Sequence, residues 1–108
     1  MRFYGLKTCD TCRKAEKSLR EKGLALDVVD VRADGVPRAL LARFHAAFGE
    51  ELLNRKSKTW RELGAAERDG DPVDLLAAHP TLMKRPVIER DGALYLGWGK
   101  DVQNSLLG

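Results

Sequence analysis

The sequence predicts an α/β fold with a mixed four-stranded sheet, and three observations support this prediction. Strand-like, helix-like and strand-like segments follow one another in the first 31 residues, which is the order of a parallel β-α-β unit. Two apolar segments flank Asp91-Gly92 near the end of the chain, a strong signal for an antiparallel hairpin. The segment between these two parts shows mainly helical spacing, so a helical insertion is expected there.

The first part of the chain predicts one helix between two strands. Residues 2–6 form a short apolar strand pattern, and residues 10–22 have the spacing of an amphipathic helix closed by Gly23. Residues 24–31 predict a second strand. Because all three elements lie within about 30 residues, the two strands are expected to be parallel with a right-handed crossover.

The middle part of the chain predicts three helices. Residues 37–48 begin with a proline and are followed by a glycine, which are typical of a helix start and a helix end. Thr59 is expected to cap a short helix that is closed by Gly64. Residues 72–78 start with another proline, and this helix must stop before Pro80 because a residue preceding proline avoids helical geometry.

The last part of the chain predicts a hairpin and a final helix. The two strands are Val87–Arg90 and Ala93–Leu96, and the helix is Lys100–Leu107. The sequence contains no internal repeat, no low-complexity stretch and no linker. Residues 1–108 are therefore expected to form a single domain, which is long enough to bury one core without disulfide or metal staples.

The composition is that of an ordinary globular protein, with 44% hydrophobic and 32% charged residues. A net charge of +3 is too balanced to indicate nucleic-acid binding, and we expect no nucleic-acid or membrane partner.

The chain is expected to be a monomer. The first residues lack the apolar stretch and cleavage site of a signal peptide, so a cytoplasmic location is expected. Two basic clusters, residues 55–58 and 84–85, are candidate anion sites.

The only two cysteines form one C-x-x-C motif at the predicted strand-to-helix turn, Cys9 and Cys12. A thiol at this position meets unpaired backbone N–H groups and the positive end of the helix dipole, both of which lower its pKa. A cytoplasmic C-x-x-C pair indicates redox or metal chemistry. Alternatively, both cysteines fill the interior as small apolar side chains. A zinc site is not expected, because His45 and His79 lack the close ligand spacing of such sites.

Three segments, taken with this element order, resemble the successive signatures of the arsenate reductase-related family. They are residues 4–15, 53–60 and 79–87. The family includes glutaredoxin-coupled arsenate reductases, YffB-type proteins and Spx-type transcriptional regulators, and this chain is most similar to the YffB type. The resemblance implies a thioredoxin-like fold with a helical insertion between its halves.

The resemblance also implies roles for individual residues. Cys9 corresponds to the nucleophile, whose thiolate attacks an oxyanion or a disulfide sulfur. Arg55 and Arg85 correspond to anion-binding arginines, a role that suits a planar guanidinium able to hold two oxygens. Arg55 could instead be one member of a solvated loop. The residues implied in substrate binding are Thr8, Asn54, Lys84 and Pro86.

The Arg85-Pro86 pair corresponds to the position of a cis proline beside the active-site thiol in thioredoxin-like folds. A cis bond before proline costs only about 0.5–1 kcal/mol, so the expectation is physically reasonable. The alternative is a trans proline that opens an edge strand. In the cis arrangement, the backbone at residues 84 and 85 would lie near Cys9, where an extended thiol peptide could pair with it.

The chain departs from the arsenate reductases of this family at two places. Gly5 stands where they carry a histidine, and residues 96–99, Leu-Gly-Trp-Gly, stand where they carry a further arginine. One cation fewer would hold arsenate less tightly. The less polar side formed by Gly97 and Trp98 suits a thiol peptide such as glutathione better.

The C-x-x-C motif, the family resemblance and these two departures together favour a small thiol-disulfide reductase. It would use glutathione or a glutaredoxin as its electron donor and would reduce arsenate weakly. No bound cofactor is expected, and glutathione is the expected co-substrate. Cys12 is expected to resolve a mixed disulfide at Cys9, or else to be a buried bystander. The alternative function is a redox-sensing regulator of the Spx type that binds RNA polymerase. Those regulators carry a further C-terminal segment, whereas this sequence ends at Gly108, and this favours the enzyme.

Overall fold

The computed structural model describes residues 1–108, and the contacts divide them into two compact units. The first consists of Met1–Asp34 and Arg85–Gly108, and the second is the insertion Gly35–Lys84. That these units form a single domain stays a prediction. No helix is both long and apolar enough to cross a lipid bilayer.

The chain contains four strands and six α-helices. In chain order they are β1 (Arg2–Gly5), α1 (Asp10–Glu21), β2 (Asp27–Asp30), α2 (Arg38–Phe48), α3 (Lys58–Glu62), α4 (Ala65–Arg68), α5 (Pro72–Ala78), β3 (Val87–Arg90), β4 (Ala93–Leu96) and α6 (Lys100–Leu107). Two 3₁₀ turns are added in the insertion, at Gly49–Leu52 and Pro80–Leu82. The boundaries of the hairpin strands and of α6 are those predicted from the sequence.

The four strands form one mixed sheet in the order β2-β1-β3-β4. β1 is parallel to β2, and Phe3 lies opposite Val28 in this pair. β1 is antiparallel to β3, and here Phe3 lies opposite Ile88. β3 and β4 form the antiparallel hairpin. Its two turn residues have positive φ, 52° at Asp91 and 82° at Gly92, as the tight turn of a two-residue hairpin requires. The predicted α/β class and the mixed sheet are confirmed.

One face of this sheet carries α1 and α6. The core cluster there combines Phe3 and Ile88 from the sheet with residues of the two helices, which are Cys12, Ala15, Leu19 and Leu106. The periodicity of α1 accounts for this packing, since positions three and four residues apart share a helix face. As a consequence, the second cysteine of the motif is a core residue.

β2 is shorter than predicted, because it begins at Asp27 rather than at residue 24. Two local contacts explain the difference. The N–H of Leu24 donates to the carbonyl of Leu19 at 3.1 Å, so this residue still belongs to the end of α1. Arg2, the first residue of β1, lies opposite Asp27, which leaves residues 24–26 without a partner strand.

The insertion differs from the prediction at its short helices. Ser57, rather than Thr59, caps α3, and its hydroxyl accepts the N–H of Trp60 at 3.2 Å. The Thr59 hydroxyl is instead hydrogen-bonded to that of Thr81 at 2.9 Å. The sequence did not predict α4, since a helix of four residues has too little periodicity to recognise.

Candidate active site

Cys9 lies at the junction between the β1 loop and α1. It occupies the N-cap position with an extended backbone, at φ −88° and ψ 117°. Its N–H donates to the carbonyl of Leu6 at 3.0 Å, and its carbonyl accepts the N–H of Arg13 at 3.0 Å. The half-buried thiol is therefore held where the first N–H groups of the helix have no intrahelical partners.

The surroundings of Cys9 favour its thiolate form. Partial burial by itself raises the pKa of this thiol, but the backbone N–H of Cys12, the Cys12 thiol and the Arg85 guanidinium together lower the pKa below its ordinary value. The neutral thiol makes no conventional capping hydrogen bond, because sulfur is a weak acceptor. A negatively charged sulfur is the form that these donors stabilise.

Cys12 differs from Cys9 in that its thiol is buried and its pKa is raised. The residue is only 2% exposed, and this burial, reinforced by the neighbouring Cys9, raises the pKa of the Cys12 thiol to about 12. Both cysteines are free thiols, and they lie 3.4 Å apart. The pair therefore combines one sulfur that is poised as a nucleophile with one that keeps its proton at neutral pH.

Gly5 forms the wall behind Cys12. A β-carbon at this position would lie 3.1 Å from the Cys12 sulfur and 2.8 Å from Cε1 of Phe3, and both distances are shorter than ordinary van der Waals contacts. The sequence showed this position only as a departure from the histidine of arsenate reductases. In the structure, a β-carbon there would force Phe3 and Cys12 to shift, because both side chains pack directly against this glycine.

The peptide bond between Arg85 and Pro86 is cis, which confirms the expectation for this position. The buried Pro86 carbonyl accepts the N–H of Gly97 at 2.8 Å. Trp98 is partly buried and, like Cys9, packs against the core cluster of the first unit. The carbonyl of Trp98 accepts a hydrogen bond from the Gln103 side chain at 2.8 Å, which ties this loop to α6.

Two neighbours of Cys9 are exposed. Thr8 lies in the turn that precedes the cysteine, and Asp10 is the first residue of α1. Cys9, and not Asp10, holds the cap position of α1, and the Asp10 carboxylate forms an ion pair with Arg13 at 3.9 Å. Thr8 stays a candidate substrate-binding residue.

Three further candidates line a cavity of about 490 Å³ in the second unit. They are Asn54, Arg55 and Lys84, and Lys56 adds another cation to the lining. The Asn54 side chain accepts the N–H of Lys56 at 3.2 Å, so this residue also shapes the loop. The backbone N–H of Lys84 donates to the carbonyl of Leu52 at 2.7 Å.

Arg55 has two partners that the sequence did not predict. Its guanidinium forms an ion pair with Glu50 and lies 5.4 Å from the centre of the Trp60 ring. These contacts hold a side chain that the sequence alone left open as one member of a solvated loop. Their only sequence signal was a carboxylate and an aromatic residue, each five residues from the arginine.

The candidates thus fall into two groups, each described within its own unit. Cys9, Cys12, Arg85 and Pro86 belong to the first unit. Asn54, Arg55 and Lys84 belong to the second. No three His, Cys, Asp or Glu side chains are grouped so that they could hold a metal ion.

Comparisons with known proteins give one family and several relatives. The family model described as the ArsC family matches residues 4–104. An uncharacterized protein from Haemophilus influenzae is 35% identical over 102 residues, which cover 90% of this chain and 90% of the relative. The solved structure of a YffB protein is 37% identical with a TM-score of 0.92, and covers 99% of this chain and 98% of its own.

A second solved structure is an arsenate reductase (ArsC) related protein from Brucella melitensis. It is 36% identical, has a TM-score of 0.74, and covers 96% of this chain and 90% of its own. The fold shared with these proteins is the thioredoxin-like fold, as the family resemblance implied. The resemblance to the YffB type is also confirmed.

Proposed function

Because the chain belongs to the ArsC family, we propose that it is a thiol-disulfide oxidoreductase in which Cys9 is the nucleophile. The contrast between the two cysteines carries this proposal. Donors at the start of α1 and Arg85 stabilise a thiolate at Cys9, whereas Cys12 is buried and keeps its proton. An attacking thiolate and a later resolving thiol are the two parts of a dithiol cycle of disulfide exchange.

The proposed cycle has three balanced steps. The Cys9 thiolate attacks one sulfur of an oxidised disulfide substrate, forms a mixed disulfide and releases the other half as a thiolate. Cys12 then loses its proton and attacks the Cys9 sulfur, which forms the internal disulfide and releases the second thiolate. Two glutathione molecules, or one dithiol glutaredoxin, reduce the internal disulfide and are themselves oxidised.

We propose glutathione as the co-substrate on the strength of the loop that follows β4. The buried Gly97 and the partly buried Trp98 stand where arsenate reductases carry an arginine, so this side is less polar. A thiol tripeptide has backbone and methylene groups that suit such a surface. The reaction belongs in the cytoplasm, where glutathione keeps thiols reduced.

Each unit contains an arginine that would hold an anionic group, Arg85 in the first and Arg55 in the second. Arg85 lies within electrostatic range of the Cys9 sulfur and would offset the repulsion between a thiolate and an incoming anion. Arg55, with Asn54 and Lys84, supplies a second anion site in the insertion. Arsenate would also be accepted, but weakly, since one arginine of the arsenate reductases is missing.

Turnover with a small disulfide and glutathione tests this function. We expect wild-type protein to catalyse glutathione-dependent reduction of the disulfide, and Cys9→Ser to abolish it. Cys12→Ser should start the cycle but accumulate the mixed disulfide. The same protein should reduce arsenate much more slowly. Equal activity of the two serine variants would contradict the assigned roles, and tight, oxidation-dependent binding to RNA polymerase without turnover would favour the regulator.

A further inference from the structure

A cavity of about 120 Å³ lies beside Cys12 in the first unit. Gly5 and Phe3 of β1, Val28 of β2 and four charged residues line it together with this cysteine; the charged residues are Lys7, Arg13, Glu16 and Asp30. This volume has room for about four water molecules, and the polar lining offers them hydrogen-bond partners. The buried thiol of Cys12 therefore borders a space that water can occupy.

The cavity matters because Cys12 must lose a proton before it can attack. This point rests on the function proposed above, in which Cys12 resolves a mixed disulfide at Cys9. A residue that is only 2% exposed has almost no direct contact with bulk water through which to release its proton. Once Cys9 carries a substrate thiol, the side of Cys12 that faces Cys9 is occupied, and the cavity is the remaining exit.

We propose that Glu16 accepts the proton of the Cys12 thiol through water in this cavity. Glu16 lies four residues after Cys12 on α1, so both side chains share one helix face. Its side chain is 35% exposed, which connects the cavity to solvent. One carboxylate oxygen, Oε1, accepts hydrogen bonds from Nε and Nη2 of Arg20 at 3.2 and 3.1 Å, so the other oxygen, Oε2, is the one that would take the proton. A positioned carboxylate that acts through one water molecule is an ordinary general base.

Asp30, the other carboxylate of the lining, is less suited to this role. One of its oxygens accepts the N–H groups of Arg32 and Ala33, each at 2.9 Å. These backbone hydrogen bonds lower the pKa of Asp30, which makes it a weaker base. Asp30 therefore helps to build the wall of the cavity, and the proton goes to Glu16.

The charged groups around Cys12 keep it protonated until Cys9 has formed the mixed disulfide with the substrate. Arg85 and the Cys9 thiolate face it from the active site, and the four charged residues of the lining face it from the cavity. The Cys9 thiolate raises the proton affinity of Cys12 in the reduced protein. This effect ends when Cys9 becomes part of a neutral mixed disulfide, while the Arg85 cation still favours the new thiolate.

Proton release from Cys12 and formation of the internal disulfide are coupled in one step. The Cys12 S–H bond breaks, and its proton passes through water to the Glu16 carboxylate. The electron pair left on the Cys12 sulfur forms a bond to the Cys9 sulfur, and the bond from Cys9 to the substrate sulfur breaks. The substrate leaves as a thiolate, and Glu16 then releases its proton to solvent.

The test follows the decay of a mixed disulfide at Cys9 by acid quenching and intact mass spectrometry across a range of pH. For wild-type protein mixed with oxidised glutathione, a carboxylate base predicts a decay rate that depends weakly on pH near neutrality. Glu16→Gln should slow the decay at least about tenfold at pH ~6. Hydroxide is then the remaining base, so the residual rate should rise about tenfold per pH unit, in proportion to the hydroxide concentration. Adding formate, a carboxylate small enough for the cavity, should restore the lost rate.

Two further variants complete the test. Val28→Phe, on the edge strand β2, fills the cavity from a residue that is 37% exposed, and it should slow the decay without changing the first attack by Cys9. Glu21→Gln on the same helix is the matched control, since Glu21 does not line this cavity, and it should decay like wild type.

A decay rate and pH profile of Glu16→Gln equal to those of wild type would overturn the proton route alone. Failure of wild-type protein to form the Cys9 adduct, or to convert it to an internal disulfide, would overturn the route and the proposed function together.

Discussion

The sulfur of Cys12 lies 3.1 Å from the position that a β-carbon on Gly5 would occupy. The absence of that atom lets the cysteine enter the core beside Phe3 and Ile88, and it leaves the space that the cavity occupies. Gly5 and Cys12 are thus a structural pair, and each depends on the other.

The first prediction concerns this pair. Gly5→Ala should lower the free energy of unfolding by about 1–3 kcal/mol, because the added carbon overpacks Phe3 and Cys12. Urea denaturation measures the change. Gly99→Ala is the control, since a β-carbon there meets nothing within 4 Å, and it should lose about 1 kcal/mol or less, the cost of a poorer helix cap. Equal losses in both variants would argue that the contact with Cys12 is unimportant.

The second prediction concerns Arg85 and the reactivity of Cys9. Arg85 lowers the pKa of the Cys9 thiol, so Arg85→Gln should raise this pKa and reduce the thiolate fraction at and below neutral pH. The rate of alkylation by iodoacetamide should fall in that range and recover as the pH is raised. Arg85→Lys keeps a positive charge and should show a smaller effect. An unchanged pH profile in Arg85→Gln would show that the start of α1 alone activates the thiol.

The third prediction follows from the pKa of Cys12. This thiol ionises near pH 9 ordinarily but only near pH 12 in the folded protein, so the folded state keeps a proton that the unfolded chain loses. The free energy of unfolding should therefore fall as the pH rises between these values.

Urea denaturation in alkaline buffers measures this effect by comparing wild type with Cys12→Ala. The stability of the variant should fall less steeply over the same window, even though lysine and tyrosine residues titrate in both proteins. Parallel curves would mean that Cys12 ionises equally easily in the folded and unfolded chains.

The fourth prediction concerns Arg55 in the insertion. Arg55→Ala removes a cation from the cavity that Asn54 and Lys84 also line, so KM for an anionic disulfide substrate should rise severalfold. The alkylation rate of Cys9 by a neutral reagent should stay the same. Arg61→Ala, an exposed arginine of α3, serves as the control. If both variants raise KM equally, the effect comes from net charge rather than from an anion site.

The sequence predicted the secondary structure best where local signals were strong. The turn at Asp91 and Gly92 needs positive φ at both residues, and this pair predicted the hairpin with its boundaries. The start of β2 could not be predicted, because it depends on where the partner strand begins. Ser57 was missed as the cap of α3 because Thr59 is an equally good capping residue and only the fold decides between them.

The candidate site was also predictable only where it depends on neighbouring residues in the sequence. The position of Cys9 at a helix start could be predicted from the sequence, because it depends on neighbouring residues only. The burial of Cys12 arises from Phe3, Ile88 and Leu106, which lie in different parts of the chain. The cavity beside Cys12 requires three separate elements to meet, and no local pattern predicts that.

The most direct test of the account is intact mass spectrometry of the reduced protein after exposure to oxidised glutathione, for wild type and Cys12→Ser. We predict one glutathione adduct at Cys9 in Cys12→Ser, and an internal disulfide between Cys9 and Cys12 in the wild type. Cys9→Ser should remain unmodified at neutral pH, since Cys12 is buried and protonated. A wild-type protein with neither adduct nor disulfide would contradict the claim that Cys9 is a reactive thiolate.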